Sequence, residues 1–351
     1  MRAAMYYAND DVRIVDIPIP KIGAGEILVE VLQSGICGSD VMEWYRKPKA
    51  PLVLGHEIAA RVVEIGAGVD GIHEGDRVFV SHHVPCGKCR YCKEGHETVC
   101  DTLRSTNFDP GGFAEFVRVP KINVRTGVFP IPREISDDEA VFIEPLACVV
   151  RGQRRAGLKA HQVVLVVGSG VAGLLHVLLA KAQRASKLIA TDVVPFRRAA
   201  ARRAGAHVVL DGREDVPAKV KEANGGRLAD VVVTCTGAPS GIVQGLQSVD
   251  RGGTVLFFAP TEPSAAVPVP FNALWREEVL VTSSYGAAPH DIREAIELLR
   301  AKRVHVGPLI THRLPLEKAA EGFALVARPQ DALKVILTPS EPRRPRRLPG
   351  H

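Results

Sequence analysis

No stretch of the sequence reaches the ~18 consecutive apolar residues that a membrane-spanning helix needs, so no membrane partner is expected. The opening residues, MRAAMYYANDDVRIVDIP, hold no long apolar run behind a basic one, so no secretory leader is expected and the expected location is the cytoplasm. Also missing is a basic stripe with interleaved aromatics, the footprint of a nucleic-acid surface; aromatic residues make up only 5% of the chain. The formal net charge of +6 does not restore that reading, because the last thirteen residues, PSEPRRPRRLPGH, set four arginines against one glutamate and supply +3 of it. That segment, 339–351, reads as a solvated, disordered basic tail. There is no internal repeat and no low-complexity segment outside the tail. An even set of cysteines is lacking too. Seven cysteines in a chain without an export signal argue against a disulfide framework and for metal-binding or nucleophilic roles.

A length of 351 residues points to two domains of roughly 150 residues each. From 25 to 80 short β-rich runs such as EILVEVLQSGI, EIAARVVEIGAGV and DRVFVSHHV alternate with Gly, Pro and Asp, which predicts an antiparallel, barrel-like β domain. At 136 the pattern changes. Ser136, with Glu139 three residues on, forms a capping-box signature that opens a helix. QVVLVVGSGVAGLLHVLLAKAQ, KLIATDVV, PFRRAAARRAGA, HVVLD, ADVVVTCTGA, SGIVQGLQSV and GGTVLFFAP then alternate strands with helices. Such alternation predicts an α/β doubly wound parallel sheet with helices on both faces. Two amphipathic helices follow, in HDIREAIELLRAKRV and LPLEKAAEGFALVARP.

Within that alternation, VVGSGVAG sets Gly168, Gly170 and Gly173 at G-x-G-x-x-G spacing between an apolar run and a helical one that Val171 opens. The first glycine permits a tight turn, the second lets backbone approach a pyrophosphate, and the third lets helix pack close to strand. The next strand ends in Asp192, nineteen residues after Gly173. An acid there accepts hydrogen bonds from ribose hydroxyls and repels a 2′-phosphate, which favours NAD over NADP. Arg197 and Arg198 leave room for NADP, although an arginine at Arg197 could equally lie along the adenine face.

Cys86, Cys89, Cys92 and Cys100 are spaced C-x₂-C-x₂-C-x₇-C, within a lobe at 84–102. Four thiolates complete a tetrahedral zinc shell and leave no position for water or substrate, so this site is read as structural. An iron–sulfur cluster or disulfides are the alternatives. A catalytic metal must then find ligands elsewhere. Cys37 in QSGICGSD, His56 and Glu57 in PLVLGHEIAARVV, and Glu144 in AVFIEPLACVV are polar groups set in apolar text, where ionisable side chains are costly unless paired or coordinated. One cysteine, one histidine and a carboxylate make a catalytic zinc set with one open position.

The succession GICGSD, GHE, the cysteine lobe, GGFAEFVRVP, EPLACVVRG and VVGSGVAG resembles the zinc-containing medium-chain alcohol and polyol dehydrogenases over nearly the whole chain, up to about residue 338. It is most similar to the branch containing sorbitol (L-iditol) dehydrogenase and threonine dehydrogenase. The resemblance implies a GroES-like β-rich catalytic domain over 1–150, interrupted by a Rossmann NAD-binding domain over 151–285, with a return to the catalytic domain over 286–338. It also implies two zinc ions per chain, one on the lobe and one on Cys37, His56 and either Glu57 or Glu144. Adjacent strand residues point to opposite faces, so His56 and Glu57 can share an ion only where the backbone bends. Ser39 matches the hydroxyl that passes the alcohol proton outward in relatives. Relatives are mostly homotetramers or homodimers, so a homo-oligomer is expected, built at the sheet edge near VLFFAPTEPSAAVPVPF.

Two departures from the family pattern bear on mechanism and substrate. Relatives commonly carry a proton-relaying histidine five residues after the ligand cysteine, where this chain has Met42. Polyol and threonine dehydrogenases often place an arginine after the sixth strand of the parallel sheet, where this chain reads Ser283, Ser284 and Tyr285, without fixed positive charge. Trp44 and Tyr45 are available as pocket walls, or they are simply packing. The expected activity is reversible, zinc- and NAD-dependent oxidation of a secondary alcohol, a polyol, cyclitol or small diol, to a ketone. The alternatives are a threonine or amino-alcohol dehydrogenase and, from another class, a zinc-dependent nucleic-acid binder.

Overall fold

A computed structural model of the chain describes residues 1–328 and 330–339. Residues 340–351, nearly all of the tail, lie outside the described residues. Strands β1 (Arg2–Ala8), β2 (Asp11–Asp16), β3 (Ile27–Gly35), β4 (Leu52–Val53), β5 (Glu57–Ile65), β6 (Arg77–Val80), β7 (Phe116–Val119) and β8 (Val128–Pro130) occupy the first 130 residues. β1 pairs antiparallel with β2 and β4 in a small sheet. β3, β5, β6 and β8 run side by side and antiparallel, and β7 also pairs with β3. On β3 and β5 the apolar residues Ile27, Val29, Ile58, Ala60 and Val62 are buried, as one covered face of an antiparallel sheet requires.

The second large sheet holds β9 (Val163–Val167), β10 (Lys187–Asp192), β11 (Val208–Asp211), β12 (Ala229–Thr234), β13 (Val249–Phe257) and β14 (Leu280–Ser283). All are parallel, in the order β11-β10-β9-β12-β13-β14. Counted from β9 this is 3-2-1-4-5-6, the doubly wound dinucleotide-binding order. All five residues of β9, VVLVV, are buried, because helices cover the sheet on both sides. One of these helices, Val216–Ala223, was not foreseen. Only Val216 and Val220 of its eight residues are buried, so it has almost no apolar period to read; the Asp215 carboxylate accepting the Ala218 N–H starts it instead.

The chain then returns. β15 (Ile310–Pro315) and β16 (Lys334–Thr338) add to the first large sheet beside β3 and extend it at its β3 side. They are parallel to each other, with helix Ala319–Ala327 between them, so that sheet is mixed and not antiparallel throughout. The capping box forms as expected: Ser136 Oγ accepts the Glu139 N–H and Glu139 accepts the Ser136 N–H. It starts a four-residue turn of helix, Asp137–Ala140, followed by a separate helix, Ile143–Arg155, which packs against helix Pro289–Arg300. Among the described residues, no helix is long and apolar enough to cross a membrane.

Candidate metal and dinucleotide site

The segment Cys37-Gly-Ser-Asp40 leaves β3 as a tight turn that caps itself. Cys37 Sγ accepts the Ser39 N–H at 3.4 Å, and Asp40 returns the bond by accepting the Cys37 N–H at 3.0 Å. This reciprocal pairing fixes the direction of the thiol. Across from it, Gly55 has φ +95°, a left-handed conformation that glycine adopts without a Cβ clash, and it bends the chain just before β5. His56 precedes the strand and Glu57 is its first residue, so the two are not bound by strand alternation. Donor atoms of Cys37, His56 and Glu57 lie within 4.8 Å of one another. Glu57 Oε1 is buried without a partner, an orphaned acceptor that a cation would satisfy. A thiol, an imidazole and a carboxylate gathered within 4.8 Å are a donor set that zinc accepts.

The structure thus groups Glu57, and not Glu144, with Cys37 and His56. Glu144 starts helix Ile143–Arg155 close by; burial raises its pKa, while the His56 charge lowers it and the Glu57 charge raises it further. Its Oε1 accepts from the Cys148 thiol at 3.3 Å.

Several side chains around this set were not singled out from the sequence. Asp40 is fully buried, and its Oδ1 lies 3.4 Å from His56 Nδ1. Burial alone would lower the His56 pKa, but Asp40 outweighs it and holds the value well above the usual range. A carboxylate behind an imidazole also orients the ring. Lys334, the first residue of β16, is buried and donates to Glu57 Oε2 at 2.5 Å and to the Ile36 carbonyl. Burial would lower its pKa, and the Glu57 and Cys37 charges raise it on balance. The ring centroid of His82 is 4.9 Å from that of His56, and His83 lies 3.9 Å beyond. Burial takes His82 well below its usual pKa and His83 down to about 4, so both are neutral at pH 7.

Arg46 donates to the Ser39 carbonyl and to Ser39 Oγ. Met42 lines the cleft beside Ser39. Trp44 and Tyr45 do not line it; their rings lie 5.7 Å apart, and Tyr45 is overlain by Lys49 and Arg46. Tyr285 is half-exposed, and Tyr45, Arg104 and Arg46 are close enough for their charges to act on it.

On the parallel sheet, Gly168 has φ +93° at the end of β9, the tight turn expected of the first glycine. A Cβ on Gly173 would meet the Gly168 carbonyl oxygen at 1.9 Å, which only glycine avoids. Gly170 caps helix Val171–Ala182 and faces open space apart from Arg197, 4.0 Å from where its Cβ would stand. Asp192 ends β10, and its two oxygens accept the Ser169 and Val194 N–H groups at 2.8 Å each. Arg197 Nε is buried without a partner, whereas Arg198 is held by Asp211 at 3.0 Å and by the Asp192 and Val193 carbonyls. One cleft of about 470 Å³ is lined by Cys37, Ser39 and Glu57 at one end and Gly168, Gly170 and Asp192 at the other.

The four lobe cysteines also converge. All their sulfurs lie within 4.8 Å of one another, with Cys89–Cys92 at 3.5 Å and Cys86–Cys92 at 3.9 Å. These are near the roughly 3.8 Å that Zn–S bonds of about 2.3 Å would give, and far beyond an S–S bond of about 2.05 Å. Buried Arg151, from helix Ile143–Arg155, donates to the Gly95 carbonyl, to Glu97 and to Asp291, joining the lobe to helices Ile143–Arg155 and Pro289–Arg300.

A doubly wound sheet and a mixed β-rich sheet that share one polar-ended cleft are the architecture of a dinucleotide-dependent dehydrogenase. Comparison with known proteins agrees. Residues 23–133 match the alcohol dehydrogenase GroES-like domain, and residues 171–301 match the zinc-binding dehydrogenase domain. The chain is 35% identical over 326 residues to the L-threonine 3-dehydrogenase of Pyrococcus furiosus, covering 89% of this chain and 91% of that protein. It is 32% identical over 323 residues to the sorbitol dehydrogenase of Ovis aries, covering 89% of each. A solved zinc-binding dehydrogenase from Sinorhizobium meliloti 1021 bound to NADP aligns with a TM-score of 0.86 at 28% identity, covering 96% of this chain and 99% of that one. The chain belongs to the zinc-dependent medium-chain alcohol and polyol dehydrogenase family, and it is an oxidoreductase of that class.

Proposed function

We propose that the protein oxidises a secondary alcohol, a polyol, cyclitol or small diol, to a ketone, reversibly and with NAD. The observation that carries this reading is the shared cleft, which puts the Cys37, Ser39 and Glu57 end in line with the glycine turn and Asp192. Cys37, His56 and Glu57 would hold one zinc, with Glu144 beside them, and Cys86, Cys89, Cys92 and Cys100 a second. Bound there, zinc supplies a Lewis acid that lowers the pKa of an alcohol, and a nicotinamide in the cleft supplies the acceptor for the carbinol hydride.

The remaining work belongs to the chain. Asp40 orients His56, and Lys334 holds Glu57 in place. Ser39, which lines the cleft, is the group that takes up the alcohol proton. The glycine turn and the N–H groups opening helix Val171–Ala182 receive the pyrophosphate, and Asp192 receives the adenosine ribose and disfavours a 2′-phosphate. Arg197 lies along the adenine side. A second copy of the chain would cover the free edge of β14, where Phe271, Trp275 and Leu280 are 74%, 67% and 56% exposed.

Threonine or another amino alcohol is the second reading, favoured by the identity to a protein named L-threonine 3-dehydrogenase. Ser283, Ser284 and Tyr285 themselves carry no positive charge, which weighs against an acidic substrate, although Arg155 donates to the Ser283 carbonyl at 2.8 Å. An NAD- and NADP-linked activity screen over polyols, diols, cyclitols and threonine, with metal analysis on the same sample, tests both. NAD-linked turnover of a polyol or diol with two zinc ions per chain is the expected outcome. Turnover of threonine alone would move the assignment to the second reading, and zinc near one per chain would contradict the two-site reading.

A further inference from the structure

Ser39 is held by the Arg46 guanidinium at two points. Arg46 Nε donates to the Ser39 carbonyl at 2.9 Å, and Nη2 donates to Ser39 Oγ at 3.1 Å. The same Nη2 reaches Asp40 Oδ1 at 3.5 Å. The guanidinium is stacked over the Tyr45 ring at 4.7 Å, and its side chain is only 15% exposed. Asp40 in turn accepts the Cys37 N–H and faces His56 Nδ1. A single planar group therefore touches the hydroxyl, the backbone that carries it and the buried carboxylate behind two donor residues of the metal site.

A serine hydroxyl offers one proton and two lone pairs. With one lone pair taken by Arg46, the other lone pair and the proton are left for the cleft that Ser39 lines. Arginine has no acceptor and keeps its charge at any physiological pH, so no proton can leave Ser39 through it. Met42, which also lines the cleft, cannot carry one either.

We propose that Arg46 is the positioning residue of the alcohol site: it turns the free lone pair and proton of Ser39 towards the cleft and braces Asp40 behind His56 and Cys37. The inference rests on the dehydrogenase reading above. As the alcohol O–H bond breaks, its proton forms a new bond to Ser39 Oγ, and the proton Ser39 already carried passes to a water molecule in the cleft. Ser39 ends as it began, and one proton is released to solvent for each alcohol oxidised. The fixed positive charge at Oγ favours the order in which the proton of Ser39 moves to water ahead of the arrival of the alcohol proton, so that the charge building on Oγ between the two transfers is negative.

The test uses the full-length, zinc-loaded chain with Arg46→Ala and Arg46→Lys. Turnover of an alcohol substrate, the solvent deuterium isotope effect, NADH fluorescence and the rate of zinc release to a chelator are measured with and without guanidinium at tens of millimolar. In Arg46→Ala, kcat is expected to fall about 10²-fold, the scale of a proton-transfer group, with a larger solvent isotope effect and unchanged NADH affinity. Zinc release is expected to quicken about tenfold, the scale of a lost contact behind a metal ligand. Added guanidinium should restore several-fold of both, and Arg46→Lys should remain impaired because a point donor cannot bridge Ser39 and Asp40 together. Unchanged kcat and isotope effect in Arg46→Ala, beside an active parent, would overturn the inference while leaving the dehydrogenase reading intact. So would equal losses in both variants that guanidinium does not relieve, which would make Arg46 a structural brace alone. A parent without nicotinamide-linked turnover of any alcohol would sink the dehydrogenase reading and the proton role of Arg46 with it, while guanidinium-sensitive zinc release would still report on the brace.

Discussion

Lys334→Met isolates the buried ion pair that positions the Glu57 carboxylate. Lys334 and Glu57 side chains are each 1% exposed and 2.5 Å apart. At an effective dielectric constant near 20 the attraction at that distance is about 7 kcal/mol, against which stands the cost of taking both charges out of water. The net loss on removing one partner of such a pair is about 3–5 kcal/mol, because the other charge stays buried and uncompensated. Glu57 would be badly placed to recover, since its Oε1 already has no partner. Urea unfolding with a chelator present, followed by both fluorescence and circular dichroism so that coincident transitions justify a single free energy, should show that loss. The double variant Lys334→Met/Glu57→Gln should be more stable than the sum of the single losses predicts, by at least 2 kcal/mol. Zinc added to Lys334→Met should recover part of the loss, as a cation takes over at Oε1. A loss below about 1 kcal/mol, or simple additivity in the double variant, would refute the reasoning.

Cys86→Ser opens the four-thiolate shell, and metal analysis should show about one zinc lost per chain together with a lower melting temperature. Asp192→Ser removes the acid that ends β10; if it receives the ribose as proposed, the ratio of kcat/KM for NAD over NADP should fall at least tenfold, the scale of a lost bond to a charged group. His176 is fully buried in helix Val171–Ala182, and burial lowers its pKa from the usual 6.5 to about 3. The unfolded chain therefore takes up a proton below pH 6.5 that the folded chain refuses until about pH 3, so stability is lost as pH falls through that window. On going from pH 7 to pH 5 in urea titrations, His176→Phe should lose about 2 kcal/mol less than the parent; identical losses would remove His176 from the acid response.

What could be read in the sequence was whatever the chain encodes locally. The lobe cysteines lie within fifteen residues, and Gly168, Gly170 and Gly173 within six, so spacing alone carried their geometry. The strand and helix alternation of the parallel sheet was legible for the same reason, except for helix Val216–Ala223, whose polar sequence hides it, and the short helix Phe271–Arg276. That Glu57, and not Glu144, gathers with Cys37 and His56 was not legible, because repetitive patterns do not register the bend at Gly55. Lys334 meets Glu57 across 277 positions of chain, and nothing in the run ALKVILTP marks that lysine as paired. Asp40 and Arg46 stood within ten residues of Cys37, but their role appears only when the turn closes on itself. Trp44 and Tyr45, which by proximity to Cys37 could be pocket walls or simple packing, do not line the cleft; their rings meet and Arg46 and Lys49 cover Tyr45.

Arg151 has a consequence for how the protein opens. Because its guanidinium holds Gly95 and Glu97 of the lobe and Asp291 of helix Pro289–Arg300 at once, the lobe cannot peel away without leaving a buried charge exposed to an emptied pocket. Loops of this length ordinarily fray by themselves, at low free energy. Here the amides of the lobe and those of helix Ile143–Arg155, which carries Glu144 near its start, should exchange with deuterated solvent as one cooperative unit. Stripping the lobe of metal would then speed exchange in the helix as well, so damage to the cysteines would reach the active site through the protein's breathing rather than through its chemistry.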